Sequence, residues 1–460
     1  MKIKAQLFKF TFAAVLASAA AAAAQAQAPK SVPAGGEKAA AAASSSWASL
    51  DRKRFDELRA NGFAALYNLD YEGARRTFNE MAKEFPDHPA GSQFLAAGLW
   101  LKTLNESRRL QASLYNTEGF YKEEEDKADP KVLAEFRALT RKAEALCELR
   151  LAADPKDTEA LYYLGAVEGL KAAWGGMVER SFRSALRNGN DSVGHHRALV
   201  KLDPTFHDAK ITIGMYDYVV GGLPLPVKIL AAIGGFRGSK KRGLATLEQV
   251  AREGKWARDD AKSLLIALLK RERRFREAYQ HASDLAAKYP RNYIFKMEAA
   301  DALVSQAEVD RATNPEAAKK TEDEAFAVFE SLLAATRGAQ SQGPRPPLDM
   351  VHFSYGEALF VAGHAERAAK EFLAAAALPG VEQTMLTRSR LRAAQALDLA
   401  GKREEALTHY KAVLARPNVF DSHEDAKRGL KEPYKHPRKV AETAGDSEDE
   451  GGAASTAKAN

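Results

Sequence analysis

Four stretches of this chain repeat one spacing, and that spacing constrains the fold more tightly than anything else in the sequence. In the first, Leu58, Gly62, Ala74, Phe78 and Pro86 follow one another at steps of 4, 12, 4 and 8 residues. Gly356, Ala368, Phe372 and Gly380 repeat the last three steps, with Pro379 one residue early. Ala394, Ala406 and Tyr410 repeat two of them and are closed by Pro417, and Ile266, Ala278, Ala282 and Pro290 carry an alanine in the aromatic place. Steps of four keep residues on one helix face, so the pattern reads as a helical hairpin. The small residue in the first helix lets the second approach, an alanine sits at the crossing, and an aromatic one turn later fills the gap beside it. The proline ends the unit, since it cannot continue a helix and biases its predecessor away from helix.

The spacing resembles the tetratricopeptide repeat, whose unit is about 34 residues. Clear units lie near 54–87, 259–291, 348–380 and 387–418. Degenerate ones stand between them. Leu161, Leu164 and Gly165 match the opening Leu-x-x-Leu-Gly after Ala143, Cys147 and Asp154-Pro155 of the unit before. Asp203-Pro204 closes another unit, and Ala209, Ile213 and Gly214 open the next. Ala325, Phe329 and Leu332 read as a second helix following one over 292–310. A single hairpin cannot bury its own apolar face, whereas stacked hairpins share a continuous core. The expected fold is all-α, an α-α superhelix over residues 47–434. The resemblance further implies a concave groove read by positions two, five, nine and twelve of each first helix. These are Asp56, Arg59, Phe63 and Leu66 in the first unit, and Met350, Phe353, Glu357 and Phe360 in a late one. Arg59, Phe63, Leu66, Phe353, Glu357 and Phe360 are the candidate partner-binding residues; packing against the neighbouring hairpin is the equal alternative.

Three insertions break the period. Residues 105–130 read as a helix end and a loop that includes Lys122-Glu123-Glu124-Glu125-Asp126, and residues 170–191 as an extra amphipathic helix around Met177–Arg187. Residues 214–243 are the most unusual, with Pro224 and Pro226 among Gly221, Gly222, Gly234, Gly235 and Gly238, a short helix over Val227–Ile233, and a basic turn carrying Arg237, Lys240, Lys241 and Arg242. Its Tyr-Asp-Tyr plus Gly-Leu-Pro element is similar to one in a poorly characterised group of exported bacterial repeat proteins. Two readings fit this insertion. In one, 219–242 contacts a membrane surface or envelope polymer through its basic residues; in the other, the excursion packs on the solenoid.

The N-terminus reads as an address. Lys2, Lys4 and Lys9 precede an apolar run from Phe10 to Ala24, which ends in the overlapping A-x-A frames at 24–26 and 26–28. This is the order of a secretory signal peptide, residues 1–28. Residues 29–46 form a Pro, Gly, Ala and Ser linker, and 435–460 a disordered tail. Export to the periplasm or outer membrane of a Gram-negative bacterium follows as the expectation. A single cysteine, Cys147, suits an oxidising compartment, and its place in the repeat predicts burial and inertness.

No catalytic, cofactor-binding or metal residue is expected. The sequence has no H-E-x-x-H, no G-x-S-x-G and no phosphate loop at 234–239. His195 and His196 are adjacent and point to different helix faces, His207-Asp208 suits a capping role, and Asp259-Asp260 a solvated helix end. Net charge is +7 for the whole chain and +4 once residues 1–28 and their three lysines are removed. That balance is too mild and too evenly mixed to mark a nucleic-acid binder, so no nucleic-acid partner is expected. The sequence therefore points to an exported, non-enzymatic scaffold that recruits a protein or peptide, with peripheral membrane contact as the alternative.

Overall fold

A computed structural model describes residues 47, 50–110, 128–223, 225, 228–229, 232, 236–337 and 346–435. The signal segment, the linker, the acidic run 122–126, most of Val227–Ile233 and the tail after 435 lie outside the described residues.

Seventeen helices and no strands occur among the described residues, and each helix packs on the next. The hairpins are α1 (Arg52–Tyr67) with α2 (Tyr71–Glu84), α3 (Ala90–Glu106) with α4 (Pro130–Ala153), and α5 (Thr158–Met177) with α6 (Phe182–Leu202). Next come α7 (Lys210–Gly221) with α8 (Lys240–Glu253), α9 (Arg258–Arg271) with α10 (Phe275–Lys288), and α11 (Tyr293–Asp310) with α12 (Pro315–Arg337). The array ends with α13 (Leu348–Val361) on α14 (Ala365–Ala377), α15 (Gln383–Leu399) on α16 (Arg403–Leu414), and a final α17 (Ser422–Lys431). This is an all-α helical-repeat superhelix.

The repeat spacing acts as its residue types require. A Cβ added at Gly62 would fall within the Phe78 ring, and one at Gly356 would stand 2.7 Å from the Phe372 ring. Phe78, Phe372, Ala74, Ala368, Ala278 and Ala406 are fully buried. Cys147 is fully buried too, and burial pushes its thiol well above the usual range. The expected extra helix at Met177–Arg187 is not formed. Those residues divide between the end of α5, a turn at 178–181 in which Arg180 has φ 54°, and the start of α6. The stretch is an ordinary inter-helix turn of a long hairpin.

The array also closes on itself. The turn after α1 and the end of α3 reach residues about 190–240 positions downstream. Tyr67 stacks on Tyr289 at 4.9 Å, and its main-chain oxygen accepts from Asn292 Nδ2 at 2.7 Å. The Arg291 N–H donates to Asn68 Oδ1 at 3.1 Å, and the Tyr293 hydroxyl to Asn105 Oδ1 at 2.9 Å. Arg108 binds both oxygens of Asp349 at 3.2 and 3.3 Å. Leu69 joins the core built by Tyr293, Ile294 and Met297. The first unit is thereby held against α9–α13.

Candidate inner-face sites

The closure decides what the first-unit candidates do. Leu66 is 2% exposed and belongs to the core. Phe63 packs edge-on to Phe94 at 4.8 Å and Phe78 at 5.3 Å. Arg59 is half-buried, with its guanidinium over Phe63 at 5.5 Å and over Trp256 at 4.9 Å. Trp256 is brought there by the turn before α9, which the sequence reading did not single out. It also meets Tyr162 at 5.4 Å and Phe206 at 5.8 Å. So these three residues do not line an open groove: Leu66 and Phe63 pack within the first units, and the returning chain covers Arg59.

Asp208 fixes that turn. The residue before α9 is Ala257, whose side chain cannot cap a helix. Asp208, 5% exposed, takes over from 47 to 49 residues upstream. Its Oδ1 accepts the N–H groups of Trp256 and Ala257, both at 2.7 Å, and Oδ2 that of Lys255 at 3.2 Å. The capping role expected for His207-Asp208 is thus filled, across hairpins rather than locally. Asp259-Asp260 is not a merely solvated helix end. Asp259 accepts from Lys288 at 2.6 Å and from the Tyr289 hydroxyl at 2.5 Å, and Asp260 accepts from Tyr67. Asp260 is solvent-exposed, yet its carboxyl is held above the usual range. Desolvation by the surrounding protein is the main cause; Asp259 and Asp208 add to it, while the Tyr67 hydrogen bond and Arg59 oppose it.

In the late unit Phe353 and Phe360 are each 2% exposed and lie under the arginines of α15. Arg392 grips Glu357 at 2.5 and 2.7 Å and covers Phe360 at 4.2 Å. Phe353, Phe360 and Glu357 are therefore used inside the protein, and the aromatic positions pack against the neighbouring hairpin. The residue left available is Arg388, half-buried over Phe353 at 4.5 Å and Phe420 at 5.9 Å. No carboxylate pairs with it among the described residues, and burial pulls its guanidinium down to about 10. The chain's own Tyr434 comes back to this face, 5.9 Å from Phe360, and its N–H donates to Asp398 at 2.8 Å.

The basic insertion is corrected in the same way. Arg242 binds buried Asp217 at 2.5 and 2.8 Å, and Lys240 binds Glu272 at 2.9 Å. Tyr218 donates to the same Glu272 at 2.7 Å, and Tyr216 lies under Arg197 at 4.8 Å. A Cβ at Gly243 would stand 2.5 Å from the Tyr218 nitrogen. The Tyr-Asp-Tyr element and the basic turn thus lock α7 onto α8, and among the described residues Arg237 and Lys241 have no such partner. Among the described residues no helix is long and apolar enough to cross a membrane.

His196 is buried and bonds Thr212 Oγ1 at 2.7 Å and the Tyr162 carbonyl at 3.0 Å. One ring nitrogen must donate to that carbonyl, and in the neutral ring the other accepts from the threonine hydroxyl. Burial, as the main cause, pulls it down to about 4.

No family model matches this chain, and no curated protein matches it. Solved structures of IFIT1 are similar in course. The human IFIT1 dimer with m7Gppp-AAAA has 13% identity and TM-score 0.43, over 83% of this chain and 86% of that one. The human IFIT1 dimer with PPP-AAAA has 14% identity, with the same score and coverage. The likeness assigns no ligand to this chain. Those IFIT1 chains are solved with m7Gppp-AAAA and PPP-AAAA, contrary to the exclusion of nucleic acid drawn from charge balance.

Proposed function

We propose that this chain is an exported, non-enzymatic tetratricopeptide-type scaffold of the bacterial envelope that binds another protein along the face of α13, α15 and α17. Arg388 is the observation that carries this reading. A desolvated guanidinium over two aromatic rings, without a carboxylate, costs stability unless a partner completes it. Its neighbour Arg392 is already neutralised by Glu357. The open charge is therefore single, which suits one acidic group on an otherwise apolar peptide segment.

Crosslinking and pull-down from the envelope tests this. The wild-type chain is expected to capture a defined protein, and Arg388→Ala to reduce capture at least about fivefold, or ~1 kcal/mol. The same substitution should leave the thermal midpoint unchanged or raise it, since it removes a half-buried charge that no described carboxylate pairs. Equal capture by the two proteins would sink the reading. Export has its own check. Intact mass of the protein from its native envelope should show a new N-terminus at Gln27 or Pro29; an uncleaved Met1 would refute a removed signal peptide.

A further inference from the structure

After α17 the chain is delivered to the Arg388 face by fixed contacts. Asp398 sets the exit. Its side chain is fully buried, and its Oδ2 accepts from the Tyr410 hydroxyl at 2.9 Å and from the Tyr434 N–H at 2.8 Å. Arg403 holds both oxygens of the same carboxylate, at 2.9 and 3.0 Å. The Tyr434 ring lies 5.9 Å from Phe360, the ring that Arg392 covers at 4.2 Å. Arg388 stands one turn before Arg392 on α15, about 6 Å along the helix axis, so Lys435 leaves the array within about 20 Å of the Arg388 guanidinium.

Beyond Lys435 the sequence runs for ten residues and then places four acids in five positions, Asp446, Glu448, Asp449 and Glu450. A segment of that length reaches at most about 35 Å extended and roughly 17 Å as a flexible chain, so the acids can reach Arg388 without strain. A tether of this kind holds its far end near the site at an effective concentration in the millimolar range. Arg388 lies over Phe353 at 4.5 Å and Phe420 at 5.9 Å. Glu382, the acid just before α15, is spent on the N–H groups of Thr384 and Met385 at 2.9 and 3.1 Å. One carboxylate from the run would complete the guanidinium, and the other three would stay hydrated, which keeps the contact weak enough to displace. We propose that the chain's own acidic run, 446–450, docks a carboxylate on Arg388. With that face read as the partner's, the run is a built-in competitor, displaced by a partner that also covers apolar surface; the competition rests on that reading, the docking does not.

A dye-labelled synthetic peptide of residues 441–453 tests the docking by fluorescence anisotropy. It is titrated into the purified chain and into a neutral-tail chain carrying Asp446→Asn, Glu448→Gln, Asp449→Asn and Glu450→Gln. The neutral-tail chain should bind the peptide at least about fivefold tighter than the unaltered chain, whose site is already filled. Adding Arg388→Ala should weaken that binding at least about fivefold, with circular dichroism and melting midpoint confirming the fold. No binding to the neutral-tail chain up to ~1 mM, equal binding to both chains, or undiminished binding after Arg388→Ala would overturn the docking. The comparison of the two tails stands even where Arg388→Ala fails to fold. Envelope capture answers the other question separately, and the neutral tail should raise it at least about twofold. Capture lost on Arg388→Ala without peptide binding keeps the recruiting face and sinks the docking. Peptide binding with capture unchanged by Arg388→Ala keeps the docking and sinks the recruiting face.

Discussion

Replacing Asp208 with alanine is expected to destabilise the protein by about 3 kcal/mol and to release Trp256 from Arg59. The carboxylate serves three consecutive N–H groups at the start of α9, and nothing local can replace it, because Ala257 occupies the capping position. Those donors are enclosed, so losing an ionised acceptor costs more than losing an exposed cap. Asp208→Asn keeps an oxygen toward one side of the turn and should lose about 1 kcal/mol. Urea unfolding of the three proteins gives the comparison, and Trp256 emission reports the turn. An alanine variant within ~0.5 kcal/mol of the parent would show that the turn holds without Asp208.

Acidification should weaken the fold in two successive windows. His196 sits at about 4 in the folded protein against 6.5 ordinarily. A lowered folded value means the unfolded chain takes the proton first, so its contribution is complete above pH 6.5 and is lost as pH falls toward 4. A shift of that size corresponds to about 3 kcal/mol. Glu159 acts lower. Desolvation would raise it, but its hydrogen bonds to Arg52, at 2.8 and 2.9 Å, and to His88, at 3.3 Å, outweigh that and hold it at about 2. Its contribution, again about 3 kcal/mol, is complete above pH 4.5 and is lost between 4.5 and 2. Unfolding midpoints across these ranges, with His196→Gln and Glu159→Gln, separate the windows. Each variant should flatten its own window and leave the other; a His196→Gln protein with the parent's slope between pH 6.5 and 4 would refute the neutral, buried ring.

What made the hairpins legible was local chemistry. The pairs Gly62 with Phe78 and Gly356 with Phe372 are knobs and gaps at fixed spacing, and Ala143 with Cys147 keeps the same steps without the ring. Asp203-Pro204 marks a boundary for the same local reason. The insertion at 214–243 was legible as an exception but not in its role. Its basic residues look free along the chain, and only the placement of Asp217 and Glu272 shows that Arg242 and Lys240 are already paired.

The binding positions were not legible, and the reason is register between distant units. A first-helix residue at position five or twelve faces either solvent or the next hairpin, depending on which side chains that hairpin sends over it. Arg388 and Arg392 cover Phe353 and Phe360, which gave the unpaired charge to α15 rather than α13. By itself, then, the sequence determined an all-helical array of hairpins, because a hairpin depends on steps of four within one helix and on proline at its end. Tertiary structure alone decided that the array closes through Tyr67, Asn292, Arg108 and Asp349 and that Trp256 meets Arg59 inside it. Contacts between residues about 200 positions apart depend on the summed rotation of every hairpin between them, which no local spacing records.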